Sequence, residues 1–323
     1  MSKLISTLII CAVVGTSIEA RGASASGYPA KPVRMVVSGS PGGSNDVMAR
    51  MLAPKLTEIW GQTVLIDNRA GGAGIIAADI VAKAPPDGYT IGFVAIRHSV
   101  NPTLVKLPYD PVNDFEPITM TAAVGSVLVV NAKTPIKSVK ELIALAKQKP
   151  GELTFASSGL GGAPHLTGEL FALTTGIKLV HVPYKGGVPA ITDLAGGRVS
   201  MSFPTLTTSL AFIKNGSLRP LAVLSKERSA YLPDVPTMAE AGVPNVVVRD
   251  WQGILAPRGV PKPIVDKLVT DIRRVLKDPA NQERFASSGF EVIASTPAEF
   301  RAALTSEIQR WARVVKDAHI KLE

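Results

Sequence analysis

Two rhythms alternate along this chain. Short runs rich in Val, Ile, Leu and Phe read as strands, and the stretches between them space their apolar residues as helices do. The strand candidates are Val33–Val37, Val64–Asp67, Thr90–Ala95, Val127–Val130, Leu153–Ala156, Leu179–Val182, Val199–Phe203 and Leu218–Leu224. Helices are predicted over Asp46–Trp60, Ile75–Ala84, Val139–Lys149, Leu166–Thr174 and Leu206–Lys214, with longer ones at Ile264–Lys277 and Pro297–Ala318. Ser138-Val139-Lys140-Glu141 and Thr296-Pro297-Ala298-Glu299 are capping boxes at two helix starts. Regular alternation of strand and helix predicts α/β architecture with largely parallel sheets.

The junctions between strands and helices hold the chemistry. Val33–Val37 runs into SGSPGG, with a helix cap expected at Ser44 or Asn45. TVLIDN runs into Arg69–Gly74, LTFASS into Gly159–Pro164 and LVHVPY into Lys185–Pro189. A Gly-rich turn at a helix start leaves backbone N–H groups free at the positive end of the helix dipole, which suits an anion. Ligands of open α/β sheets bind beyond the carboxyl ends of the strands, so these turns are expected to face one cleft.

At 323 residues the chain predicts two domains. Two apolar passages, Ile118–Val130 and Val246–Leu255, are candidate crossings between them. If both cross, lobe one is 27–125 plus 247–323 and lobe two is 126–246. The N-terminus has the order of a secretory signal peptide over residues 1–25: Lys3, apolar Leu4–Val14, then Ala23-Ser24-Ala25. Its apolar run of about 11 residues is too short to span a bilayer, which needs roughly 20. Cleavage after Ala20 or after Ala25 fits. Cys11, the single cysteine, lies inside that segment, so the exported chain would carry no thiol and no disulfide.

The formal charge is +9. Removing Lys3, Arg21 and Glu19 takes 35 basic and 26 acidic side chains to 33 and 25, a net +8. The basic residues are scattered, without a run interleaved with aromatics, and export argues further against a nucleic-acid partner. Only 5% of residues are aromatic, which weighs against a sugar ligand stacked on rings.

Enzymatic readings fare worse than binding. Gly72-x-Gly74-x-x-Ala77 matches a loose dinucleotide fingerprint, but the next strand ends without the acidic residue that would bind ribose. No cofactor is expected. Ser157 or Ser158 with His165 could be imagined as the core of an exported serine hydrolase, the alternative reading, though no G-x-S-x-G elbow is present. His165 can instead orient its loop by hydrogen bonding, and His181 reads as a core residue. No spacing of His residues suits a metal. Asp46 is either a first-turn residue or a ligand contact. Asp193 is either a solvated helix residue, a ligand contact or a brace for its loop. Lys185 either neutralises an anion or is a solvated loop lysine. Trp251 reads as a hinge or core anchor.

Taken together, these motifs resemble one family: the substrate-binding proteins of tripartite tricarboxylate transporters, also called Bug receptors. The resemblance runs through Tyr28-Pro29, Pro41-Gly42-Gly43, Asp46-Val47-Met48-Ala49-Arg50, Gly61-Gln62, Asn68-Arg69, Gly72-Ala73-Gly74 and Pro86-Asp87-Gly88-Tyr89-Thr90. It continues in Ser157-Ser158-Gly159, His165-Leu166, Glu169, Pro183-Tyr184-Lys185-Gly186-Gly187, Asp193-Leu194, Trp251, Gly253, Ala256-Pro257, Glu307 and Trp311. It implies a two-lobed type II periplasmic binding protein, a "Venus flytrap" with its cleft between lobes. Such a receptor is no enzyme. It delivers a small mono- or dicarboxylate, with or without an aromatic ring, to membrane permease subunits or a sensor, and a monomer is expected. Carried onto this chain, the ligand residues would be Ser38, Gly39, Ser40, Gly42, Gly43, Asn45, Asp46, Gly72, Ala73, Gly74, Ser157, Ser158, Gly161, Gly162, His165, Lys185, Gly186, Gly187 and Asp193. Ser38-Gly39 stands where the family often has Pro-Phe, Ala70 replaces a usual Pro, and Gly162 occupies a common Ser or Thr position. These departures predict a roomier pocket with fewer side-chain donors.

Overall fold

A computed structural model describes residues 27–246 and 248–317. The expected signal peptide and Cys11 lie outside the described residues. From the amino end the chain forms β1 (Val33–Val37), α1 (Ser44–Trp60), β2 (Val64–Asn68), α2 (Ile75–Ala82), β3 (Thr90–Ala95), α3 (Arg97–Leu104) and β4 (Phe115–Val124). The middle holds β5 (Val127–Asn131), α4 (Val139–Gln148), β6 (Thr154–Ser157), α5 (Ala163–Thr175), β7 (Val180–Pro183), α6 (Gly187–Ala195), β8 (Met201–Ser202), α7 (Leu206–Lys214) and β9 (Leu218–Val223). The chain then returns through β10 (Asp250–Pro257), α8 (Lys262–Lys277), α9 (Pro279–Ser287), β11 (Phe290–Val292) and α10 (Pro297–Asp317).

Among the described residues these strands make two sheets. The first has the order β11-β4-β10-β3-β1-β2 and the second β7-β6-β8-β5-β9. Strands from both ends of the chain share one sheet, and the middle of the chain forms the other. Each sheet is packed on both faces. In β1, Val33, Met35 and Val37 join α1 and α8 on one side, while Val36 meets α2, α3 and α10 on the other. Two further clusters cover the faces of the second sheet. Double coverage explains why these strands read as near-continuous apolar runs.

The expectation of largely parallel sheets needs correction. Strand β1 is parallel to β2 and β3, and β6 is parallel to β7 and β8. By contrast β10 runs antiparallel to β3 and β4, and β5 antiparallel to β8 and β9. The reversed strands are those that leave or return at the junction between the sheets. Ile118–Val130 is thus two strands broken at Gly125–Ser126, because β4 belongs to the first sheet and β5 to the second. The α3 and α9 helices carry too little apolar periodicity to have been predicted. The Thr296–Glu299 capping box forms in full, bonding reciprocally at 3.2 and 2.7 Å; at the other helix start Ser138 Oγ accepts the Glu141 N–H at 3.2 Å, while the Glu141 carboxylate takes the Lys137 N–H at 2.6 Å. Trp251, 3% exposed, packs edge-on against Phe300 at 5.5 Å and is a core anchor.

Candidate functional site

The first turn is held from within. Asn45 Nδ2 donates to Ser38 O at 3.0 Å and to Ser38 Oγ at 3.2 Å, while Ser38 Oγ donates to Phe93 O at 2.9 Å. With Asn45 engaged there, the cap of α1 is not Ser44 or Asn45 but Gly43, whose φ/ψ is extended. The first helical bond runs from Val47 N–H to Gly43 O, leaving the Ser44 and Asn45 amides ahead of it. Asp46, 3% exposed, sits behind the turn. Its carboxylate accepts the Gly42 N–H at 2.8 Å and Arg50 Nε at 2.9 Å. Burial pushes the Asp46 pKa up, but the Arg50 and Gly42 hydrogen bonds outweigh it and hold the carboxyl below its ordinary value.

The Ser157–His165 turn is built the same way. Its cap is Gly162, and His165 Nδ1 accepts the Gly161 N–H at 3.1 Å. An acceptor at Nδ1 requires the neutral ring, and burial with the fields of His181 and Arg97 lowers the His165 pKa to about 3. His165 stacks on His181 with ring centres 4.1 Å apart, and His181 Nε2 shares a 2.6 Å hydrogen bond with Ser157 Oγ. The hydrolase pairing is therefore corrected. Ser157 is fully buried and partnered by His181 rather than His165, and Ser158 Oγ accepts from Arg97 Nη2 at 3.0 Å.

Of the residues expected at the site, Ser38, Gly39, Ser40, Gly43, Asn45, Gly72, Ala73, Gly74, Ser158, Gly162, Lys185, Gly186 and Gly187 line one cavity of about 560 Å³. Gly42, Asp46, Ser157, Gly161, His165 and Asp193 stand outside its lining. Asp193 accepts from Tyr184 Oη at 2.9 Å and Arg198 Nη1 at 2.6 Å, and so braces Tyr184, which does line the cavity. Those two bonds, Tyr184's first, hold its carboxyl below the ordinary value. Lys185 is exposed and makes no ion pair among the described residues.

Both sheets contribute to the wall. Among the described residues, six helices (α1, α2, α3, α5, α6 and α7) bring residues of their first turns or caps to this cavity. Their aligned dipoles and free amides make its interior favourable for negative charge. The two sides also touch. A Cβ built on Gly186 would overlap Ser40 Oγ, and one on Gly162 would lie 2.8 Å from Arg97 Nε. Hence the room expected at Gly162 is filled by a guanidinium from the other side of the cleft.

Arg97 is the main residue that sequence reasoning missed. From α3 its Nη2 reaches Ser158 O at 2.6 Å and Gly159 O at 3.2 Å. Burial disfavours its charge and the field of Asp250 supports it. Thr205 and Thr208 of α7, Tyr184 and Asp250 also line the cavity. Arg97 lies two residues past the end of β3 and Thr205 three past the end of β8, and that position was the available signal. They escaped because their junctions lack the glycines that marked the others. Asp250 gave no such signal, since it begins a strand. Antiparallel pairing of β10 with β3 brings that beginning to the edge where β3 ends, with Gln252 opposite Ala95.

Comparison with known proteins bears on this cavity. A family model described as the tripartite tricarboxylate transporter family receptor matches residues 48–320. Protein BugT of Bordetella pertussis is 41% identical over 324 residues, covering 97% of this chain and 98% of that protein. Among solved structures, R. palustris Rpa4515 with adipate has a TM-score of 0.88 at 39% identity, covering 91% of this chain and 99% of that one. The periplasmic binding protein BugD has a TM-score of 0.87 at 36% identity, covering 92% and 100% respectively.

Proposed function

This chain belongs to the receptors of the tripartite tricarboxylate transporter family, and from that premise we propose that its cavity closes around a small organic carboxylate. Proteins of this family are periplasmic solute-binding receptors with a two-lobed α/β fold, not enzymes. One observation carries the carboxylate reading: helix N-termini from both sheets converge on a single cavity whose wall also holds Arg97. The adipate in a similar structure supports it. Charge-assisted hydrogen bonds contribute about 1.5–3 kcal/mol each, so three or four offset ordering costs and reach roughly micromolar affinity.

The lobes are taken as 27–125 with 247–323, and 126–246, in line with the division of strands between the two sheets. The lining residues touch the ligand, and Gly42, Asp46, Ser157, Gly161, His165 and Asp193 hold their turns in shape. A signal peptide within the first 25 residues directs the chain to the periplasm and is removed after Ala20 or Ala25. There the monomer hands its ligand to permease subunits of the transporter or to a sensor.

A thermal-shift screen of mono-, di- and tricarboxylates tests the reading. A ligand at 100 times its Kd stabilises by about 2.7 kcal/mol, an easily measured shift. Stabilisation by sugars or cations and by no organic acid would overturn it.

A further inference from the structure

Asp250 lines the cavity, yet it is only 6% exposed and its Oδ1 is buried without a hydrogen-bond partner. A buried carboxylate left uncompensated is costly. Burial pushes its pKa up to about 7, against the opposing field of Arg97. The two residues make no ion pair, because Arg97 Nη2 is committed to the Ser158 and Gly159 oxygens. The adjacent charge on the chain, Arg249, pairs instead with exposed Glu291 of β11 at 2.5 Å. Gln252, next on the same face of β10, also has both side-chain polar atoms buried and unpartnered. The wall thus places one unsatisfied acceptor beside a cavity rich in donors.

We propose that Asp250 accepts a hydrogen bond from an N–H or O–H group of the bound carboxylate, so that the receptor selects amino- and hydroxycarboxylates over plain aliphatic acids. The inference rests on the carboxylate reading above. The ligand's carboxylate lies against the amides and Arg97, and its donor satisfies the acid that the protein leaves unpaired. A second carboxylate near Asp250 meets like charge and binds only after Asp250 takes up a proton. An ammonium group does the reverse and drives the proton off.

The test is calorimetric titration of wild type and Asp250→Asn with matched acids of equal chain length, differing at one carbon by hydrogen, hydroxyl or ammonium. Succinate, malate and aspartate form one such set, with shorter and longer sets beside it. Wild type should prefer the donor-bearing members by roughly tenfold or more. In Asp250→Asn the preference for the ammonium-bearing member should fall most, since the amide keeps an acceptor but loses the charge. A second measurement needs no variant. In buffers of different ionisation heat, the amino acid should release protons on binding wild type and the plain diacid should take them up. Equal affinities within every set, or a preference untouched by Asp250→Asn, would overturn the inference and leave the carboxylate reading standing. If no acid of any set binds, both fall together.

Discussion

In the turn from Ser38 to Asp46, Gly42 (φ 76°) gives its N–H to a carboxylate; in the turn from Ser157 to His165, Gly161 (φ 67°) gives its N–H to an imidazole. The two turns have the same length and share one frame. Each leaves a strand at a serine, caps its helix with an extended glycine, and reaches back from the third helical residue to the glycine before the cap. The locks differ in charge. Asp46 is ionised and tied to Arg50, whereas His165 is neutral and stacked on His181. The backbone shape needed to hold an anion is therefore separable from the charge of the group that fixes it. The neutral lock lies near the half-buried Arg97 guanidinium, where a second positive charge would be repelled.

Removing each lock should give the largest effect and the sharpest contrast. Asp46→Ala leaves the Gly42 N–H and Arg50 without their charged partner, so a loss of about 1.5–3 kcal/mol is expected in urea unfolding. His165→Ala loses a neutral bond and a stacked ring, for about 1–2 kcal/mol. Equal losses would mean that the charge on Asp46 contributes nothing.

The caps should separate function from stability. Gly162→Ala keeps an allowed backbone, φ −75° and ψ 159°, but its methyl meets Arg97 from the opposite wall. Ligand affinity should fall by roughly tenfold, or about 1.4 kcal/mol, and Gly162→Ala should add little further loss in a chain that already carries Arg97→Ala. Gly43→Ala meets only its own turn, 3.1 Å from Ser40 O, and should cost less affinity. Equal losses at the two caps would remove the cross-cleft role of Gly162.

Acid should also distinguish the locks. His165 stays neutral in the folded protein down to about 3 but takes a proton near 6.5 when unfolded. The unfolded state then binds more protons, so stability falls as pH drops from 6.5 towards 3, by up to about 1.4 kcal/mol per pH unit for each such group. His181 and His98, both lowered to about 4 by burial, act in the same direction. Asp46, with its pKa depressed, keeps its contribution above its unfolded value of 3.8 and loses it as pH falls through the folded value. Between pH 7 and 5 the unfolding midpoint of wild type should drop more than that of His165→Gln. Equal drops would show that His165 is not held neutral. The smallest effect is expected at Asp193→Asn, which loosens the exposed brace on Tyr184 and should change affinity by less than about threefold.

The strands, the glycine turns and both Ser/Thr-capped helix starts were legible in the sequence because each depends on neighbours a few residues away. A Val-rich run, a glycine that must adopt positive φ, or a Ser three residues before a Glu carries its reason locally. The same holds for the His165 lock, which bonds four residues back; the Asp46 lock is equally local, but its sequence position suggested only a first-turn residue or a ligand contact. The helix α3 was not legible, having no apolar stripe of its own, and neither was the reversed direction of β10, which follows from where the chain re-joins the first sheet. Asp250 could not be read for the same reason. Its importance comes from lying at the end of β3, more than 150 residues away in sequence. Likewise Arg97 meets Ser158 only once two separate sheets face each other. The sequence alone determined a set of anion-ready turns and the family they resemble. Tertiary structure decided which charged side chains stand among those turns, because burial and field arise only when distant segments share one cavity.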